Sequence, residues 1–440
     1  MKKSSLATGL ALVASAALLL TGCASGGSLS GSGGDDSGKV VWNDPGKDLS
    51  GVTLTYGGGV AGGPIDQVIK AFEKKTNVKF KKVAYPDPYE QSLLTKVATG
   101  DKPDLASWQP TTSELTALQA PTNLLSLDGA PWLEKIDPSV RDITGFVGKT
   151  RYAALVTSPS VMGMYYNKQV FEDAGITDEP TTWDEMLADA KKIKADGGTA
   201  FYEAGATQWP TQWWPQAQLG SKAPTFWKDV NENKQQFTSP TMLTAIQNYK
   251  DLIDQGYFNS DIKTGTFEKQ ATSLLSGKVG MVLQVNSYLN QIQTTASTSE
   301  IDKKLGWFPI SGDGAIGTNI PDNSNAVVAF KTGDAKREAA SRQFLNFWMT
   351  TDYASFIKAA GTPSIETGVD SPAGVPKIAD TIAASLGTSV GSMQSLAIAN
   401  PDLYINLANM IQGTQTPEQV AETTQKQFAQ LAKAQGAKGF

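Results

Sequence analysis

VTLTYGGGVAGGPIDQVIKAF, residues 52–72, sets the architecture. Val52 to Tyr56 alternates threonine with β-branched, aliphatic and aromatic residues, which suits a pleated strand. Gly57-Gly58-Gly59 then interrupts it, and Ile65, Val68, Ile69 and Phe72 recur at the three- and four-residue intervals of one helix face. A second strand, Val78 to Val83, follows Asn77. Tyr89 to Thr99 repeats the helical spacing through Leu93, Leu94 and Val97 until Gly100 stops it, and Pro103-Asp104-Leu105-Ala106-Ser107-Trp108 reads as a third, short strand. Strands and helices alternating across short turns predict an α/β fold with a largely parallel sheet.

The second half repeats this architecture without repeating the sequence. Thr182-Trp183-Asp184-Glu185 is a capping box ahead of Met186, Leu187, Ala190 and Ile193. Phe267, Ala271, Leu274 and Leu275 mark a further helix, ended by Gly277 before the strand Val279 to Leu283. Thr416-Pro417-Glu418-Gln419 is a second capping box, with proline in the first turn, opening a last helix through Val420, Phe428 and Leu431.

At the N-terminus Lys2 and Lys3 precede the apolar run Leu6 to Leu20, and Thr21-Gly22 leads to Cys23, the single cysteine of the chain. A charged start, an apolar run and small residues predict a signal peptide over residues 1–22. The run falls short of the roughly 20 apolar residues of a membrane span, and no later segment is continuously apolar at that length, so no transmembrane helix is expected in the mature chain. Leu20-Thr21-Gly22-Cys23 resembles the lipobox of bacterial lipoproteins, which implies a lipid on the Cys23 thiol. Residues 23–50 begin with a Gly/Ser-rich stretch, Ala24 to Gly38, too poor in apolar residues to order itself and expected to tether a globular head to a membrane.

One cysteine excludes an intramolecular disulfide, so stability must come from a core. The formal charge of −5 and the lack of a basic stripe of the kind phosphate backbones require argue against nucleic acid. There is no histidine. Serine–histidine triads and HExxH metal sites are thereby excluded, and neither a metal nor a cofactor is expected.

Five stretches together resemble family 1 extracellular solute-binding proteins, the maltose-binding-protein-like components of carbohydrate importers. They are Thr95 to Asp104, Gly163 to Lys168, Phe171 to Gly175 with Thr181 to Glu185, Ser276 to Met281, and Ala339 to Leu345, and they occur in the family's order. The resemblance implies a periplasmic-binding-protein type II fold, two discontinuous α/β lobes joined by a hinge. Transferred to this chain, the lobes would be 51–158 plus 311–361 and 159–310 plus 362–440, with crossings near Ser158 to Gly163, Trp307 to Ser311 and Gly361 to Ser364. It also implies a monomer that binds a carbohydrate and delivers it to the transmembrane subunits of an ABC permease.

Open α/β sheets bind ligands beyond the carboxyl ends of their strands. The expected ligand-binding residues are accordingly Gly58 and Gly59; Trp108, Gln109 and Thr111; Ser160; Trp209, Trp213 and Trp214, of which at least one should line the cleft; and Asn286, Ser287 and Tyr288. A sugar offers C–H faces for flat rings and hydroxyls for fixed donors and acceptors, and tryptophan beside Asn, Gln and Ser supplies both. Trp132, Trp183, Trp227 and Trp348 read as packing residues, and Tyr165-Tyr166 as core rather than a ferric-ion ligand pair. Thr111 and Ser160 are uncharged where the maltose-binding type carries cleft acids, which argues against maltose itself. The competing class is a secreted glycoside hydrolase acting through two carboxylates, for which the favoured loops are poor in acids.

Overall fold

The computed structural model describes residues 42–58, 63–86, 89–321, 326–396 and 398–440; Cys23, the leader, most of the tether and Gly59 lie outside the described residues. The helix expected after the first strand spans Pro64–Thr76. Proline occupies its first turn, and Asn77, at φ 60°, closes it with its backbone N–H on the Glu73 carbonyl. Both expected capping boxes form, at Thr182 with Glu185 and at Thr416 with Gln419. Each satisfies two backbone donors that a helix start leaves unpaired.

Two sheets organise the chain. The first has the order Lys79–Ala84, Thr53–Gly58, Leu105–Trp108, Ala326–Ala329, Ala153–Leu155. Its first three strands are parallel, whereas Ala326–Ala329 runs antiparallel to both of its neighbours. The second has the order Val390–Gly391, Thr318–Ile320, Ser160–Asn167, Val279–Gln284, Thr199–Phe201, with Leu305–Phe308 also paired to Ser160–Asn167. Each sheet thus takes a strand from far along the chain, and two lobes result that are discontinuous in sequence.

The chain first passes between the sheets from Leu155 to Ser160, earlier than Ser158 to Gly163, because Ser160–Asn167 already belongs to the second sheet. The second passage falls later than Trp307 to Ser311. Leu305–Phe308 and Thr318–Ile320 both still belong to the second sheet, so the return lies between Ile320 and Ala326, and residues 311–320 accompany the second sheet. Pro309 and Gly312 serve a tight turn there, closed by the Ser311–Gly314 bridge. Later Glu366 bridges Ile136 beside the first sheet, while Val390 pairs within the second, so the last passage follows Glu366.

The second sheet is covered on both faces, and the alternation of Ser160–Asn167 shows it. Val161 and Tyr165 enter one apolar cluster, Met162 and Met164 the other. Gly163 is a point of close approach, because any side chain there would collide with the Trp307 ring. Trp132, Trp183, Trp227, Trp348 and Tyr165 are all buried in these clusters.

One buried charge ties the first lobe together. Asp104, fully buried, accepts from the Thr55 amide at 2.6 Å, the Thr55 hydroxyl at 2.8 Å and Arg337 Nη2 at 2.7 Å. The three groups come from the first strand, the approach to the third strand, and the Ala335–Phe347 helix that follows the returning strand. Truncating one partner strands buried polar groups, at a cost of about 3 kcal/mol. Asp104→Ala is therefore expected to lower the urea unfolding free energy by about that amount; a change below about 0.5 kcal/mol, the range of ordinary surface substitutions, would show that the carboxylate is not a tie.

Candidate functional site

Because the first three strands of the first sheet are parallel, Gly58, Tyr85 and Gln109 emerge at one edge. Tyr85 and Tyr89 are half-buried there with ring centroids 6.0 Å apart. The Tyr89 hydroxyl donates to the Ser107 carbonyl at 2.7 Å, which fixes the ring against the sheet. Gln109 Nε2 donates to Glu90 Oε1 at 3.2 Å. Gly58 is half-buried on the same edge.

Trp108 differs from the expectation. It is 1 % exposed, and its Nε1 donates inward to the Glu114 carbonyl at 3.1 Å, so neither ring face is open to a ligand. The reason is register: Trp108 still pairs with Ala326 in the middle of the sheet, and its side chain falls on the covered face. Thr111 is also buried, capping the Thr112–Ala117 helix through its hydroxyl.

At the second sheet, Thr199–Phe201 and Val279–Gln284 are parallel, so the chain after each leaves on a common side. Gln208 adopts φ 66° and ψ −61°, a conformation costly for a residue with a side chain. Trp209 follows it, half-buried, its ring 5.1 Å from Phe267 and 6.0 Å from Trp213. Behind it lies a buried amide network. Gln212 Nε2 donates to the Trp209 carbonyl at 3.0 Å, Gln394 Nε2 donates to Gln212 Oε1 at 2.8 Å, and Gln216 Oε1 accepts the Met393 amide at 2.7 Å.

Of the three tryptophans, Trp209 alone is half-buried rather than buried. Trp213 is buried, and Trp214, 1 % exposed, sits among Trp183, Phe201, Tyr249 and Phe258. Tyr288 is likewise a packing residue, fully buried against Tyr165 and Phe267. Its place in the first turn of the Ser287–Gln293 helix turns the ring under the loop rather than out of it.

Ser160, Asn286 and Ser287 come together where the chain passes between the sheets. With Thr157, Ser158 and Thr362 they line a cavity of about 280 Å³, and Asn286 Oδ1 accepts the Val161 amide at 2.9 Å. That volume is near the lower limit for small-molecule sites. A larger concavity, about 610 Å³, lies between the Trp183–Ala195 and Pro240–Asp254 helices on the second lobe alone.

Several residues of this region carried no signal in the sequence. Tyr89, Glu90, Glu114 and Phe267 arrive from helices rather than from strand ends, and Tyr85 follows a strand whose residues alone do not mark it as a site residue. Glu90 and Glu114 bring carboxylates to this edge. Glu114 is pushed up to about 7 by burial and by the Glu90 charge. Among the described residues no group of three acidic or thiol side chains could hold a metal ion.

Two α/β lobes, each with a sheet completed by a strand from far along the chain, match the fold of two-lobed solute-binding proteins. The chain belongs to the bacterial extracellular solute-binding proteins, whose family model matches residues 57–355. This is a family of binding proteins acting outside the cytoplasm. A binding protein of Brucella abortus is 26% identical over 306 residues, covering 63% of this chain and 70% of its own. The diacetylchitobiose binding protein DasA of Streptomyces coelicolor is 26% identical over 341 residues, 73% of this chain and 74% of DasA. In fold, the chain is similar to RafE of Streptococcus pneumoniae, whose raffinose complex superposes with a TM-score of 0.68 at 20% identity, over 87% of this chain and 100% of RafE.

Burial also raises Glu203 and Glu366 to about 7; Glu203, at the end of Thr199–Phe201, accepts from the Tyr249 hydroxyl at 2.8 Å and the Ala204 amide at 2.7 Å. A carboxyl group with a raised pKa holds a proton in the folded state that the unfolded chain has lost. Folding stability should therefore fall as pH rises from about 4.5 to about 7, and level off above. Glu203→Gln, which keeps the shape and removes the titration, should flatten that slope in melting temperatures taken across the range. An unchanged slope would show that Glu203 does not titrate there.

Proposed function

We propose that this chain is the substrate-binding lipoprotein of an ABC importer, taking up a carbohydrate, an oligosaccharide by preference, between its lobes and passing it to the permease. The observation that carries this reading is the half-buried Trp209 ring backed by the Gln212–Gln394 amide network. A sugar face stacks on such a ring while its hydroxyls require fixed donors and acceptors, each worth roughly 1–3 kcal/mol if left unpaired. Gln109, Gly58 and Gly59 on one lobe, and Ser160, Asn286 and Ser287 at the crossing, are the polar partners. The names of two relatives point the same way, one a diacetylchitobiose binder and one crystallised with raffinose.

The chain carries out no reaction and needs no cofactor. Cys23 bears a lipid that holds the monomeric head at the extracytoplasmic face of the cell membrane, and residues 1–22 are its signal peptide. The hydrolase alternative now has two carboxylates to name, Glu90 and Glu114. Glu90 is engaged by Gln109, however.

A thermal-shift series over mono- and oligosaccharides tests the reading. A ligand at 100 times its dissociation constant should stabilise the fold by about 2.7 kcal/mol. Trp209→Ala should then weaken the responding sugar about fivefold or more, the loss of roughly 1 kcal/mol of stacking, without lowering the unliganded melting temperature. Silence across all sugars with a response to amino acids or phosphate esters, or turnover of an oligosaccharide, would overturn the proposal.

A further inference from the structure

The first sheet ends on a strand crowded with positive charge. Between Pro64 and Ala84 stand six lysines, Lys70, Lys74, Lys75, Lys79, Lys81 and Lys82, against two acids, Asp66 and Glu73, in a chain whose formal net charge is −5. All six lysines are exposed. Lys82 is neutralised by Asp66 at 2.7 Å, and the Glu73 carboxylate is occupied by the Phe80 amide at 2.8 Å. Among the described residues the other five meet no carboxylate within 4.0 Å.

Lysine on an edge strand guards against sheet-to-sheet pairing, and Lys79 and Lys81 on Lys79–Ala84 serve that end. That does not account for Lys70, Lys74 and Lys75, which lie on the Pro64–Thr76 helix and face no open strand. The patch also adjoins the start of the described chain. Lys75 lies against Gly46, Leu49 donates its amide to the Thr76 carbonyl at 2.6 Å, and Gln343 holds the Lys47 carbonyl at 2.7 Å. Trp42 lies nineteen positions after Cys23, so covalent geometry limits the distance from anchor to head to at most about 65 Å.

We propose that this lysine-rich edge is a docking surface for anionic lipid headgroups, which turns the anchored head so that one side of the first lobe rests on the bilayer. The occupant follows from charge complementarity and from the position of the patch beside the chain leading to Cys23. Lysines are attracted to an anionic leaflet within a Debye length of its surface. Acting together they bias orientation without holding the protein there alone. The geometry rests on the lipid-anchor reading, whereas the surface chemistry does not.

The test uses the mature chain, residues 23–440, carrying Cys23→Ala, so that neither the leader nor an acyl group contributes. Sedimentation with vesicles of phosphatidylglycerol and phosphatidylcholine in equal parts should pull down the protein at low salt, and vesicles of phosphatidylcholine alone should not. The binding should vanish near 1 M salt, where the screening length is about 3 Å. Lys74→Glu, Lys75→Glu and Lys79→Glu combined should weaken it at least tenfold, with the melting temperature and sugar response unchanged. Equal partition onto both vesicles, or binding that survives the triple substitution, would overturn the proposal, as would pull-down by anionic cell-wall polymer with none by anionic vesicles. Mass spectrometry of native Cys23 reports on the anchor separately. An acylated cysteine with no vesicle binding sinks the docking surface alone, and an unmodified one with vesicle binding sinks the anchor alone.

Discussion

The Asp104 carboxylate is the constraint on which the two-lobed form depends. A lobe assembled from segments far apart in sequence must be held by contacts that the local chain cannot supply. Asp104 joins Thr55 in the first strand to Arg337 in a helix that arrives only after the chain has built most of the other lobe. A buried carboxylate with three donors is costly to misplace, so it selects the register of the returning strand Ala326–Ala329 as well as stabilising it. With that strand seated, the passages between the sheets are fixed, and the two sets of strand ends can share one opening.

The second lobe solves a different problem. Its sheet is buried on both faces, and the side proposed for recognition is built from a strained residue, Gln208, followed by the half-buried Trp209 over a buried amide network. Strain of that kind persists only where the surroundings enforce it. Here the Phe267 amide holds the Thr207 hydroxyl at 3.0 Å, and Thr211 reaches the Tyr404 carbonyl at 2.9 Å. The ring is therefore held in position before a ligand arrives, which lowers the entropy lost on binding.

How far the sequence could be read divides along the same line. The strands, both capping boxes and the helix after residue 52 were legible, because period and cap chemistry are local. The late return between Ile320 and Ala326 was not. Pro309 and Gly312 mark a turn equally well inside a lobe and between lobes, and only the pairing of Thr318–Ile320 with Ser160–Met162 settles it. Trp108 and Tyr288 follow strands, as a cleft residue should, but burial depends on which side the pleat or the helix turn presents. Glu90 and Glu114 were missed because they reach the edge from helices, and no sequence period records that.

The account's central claim is that a carbohydrate touches both lobes and so draws them together. A ligand shifts such a hinge only by its difference in affinity for the two forms, and moving from 1:99 to 99:1 closed requires about 5.5 kcal/mol. One stacked ring and several paired hydroxyls amount to that order. Small-angle scattering of the head, with and without the sugar that raises its melting temperature, measures the outcome directly. The account predicts a smaller radius of gyration at saturation. A radius that stays the same while the sugar is demonstrably bound would contradict it.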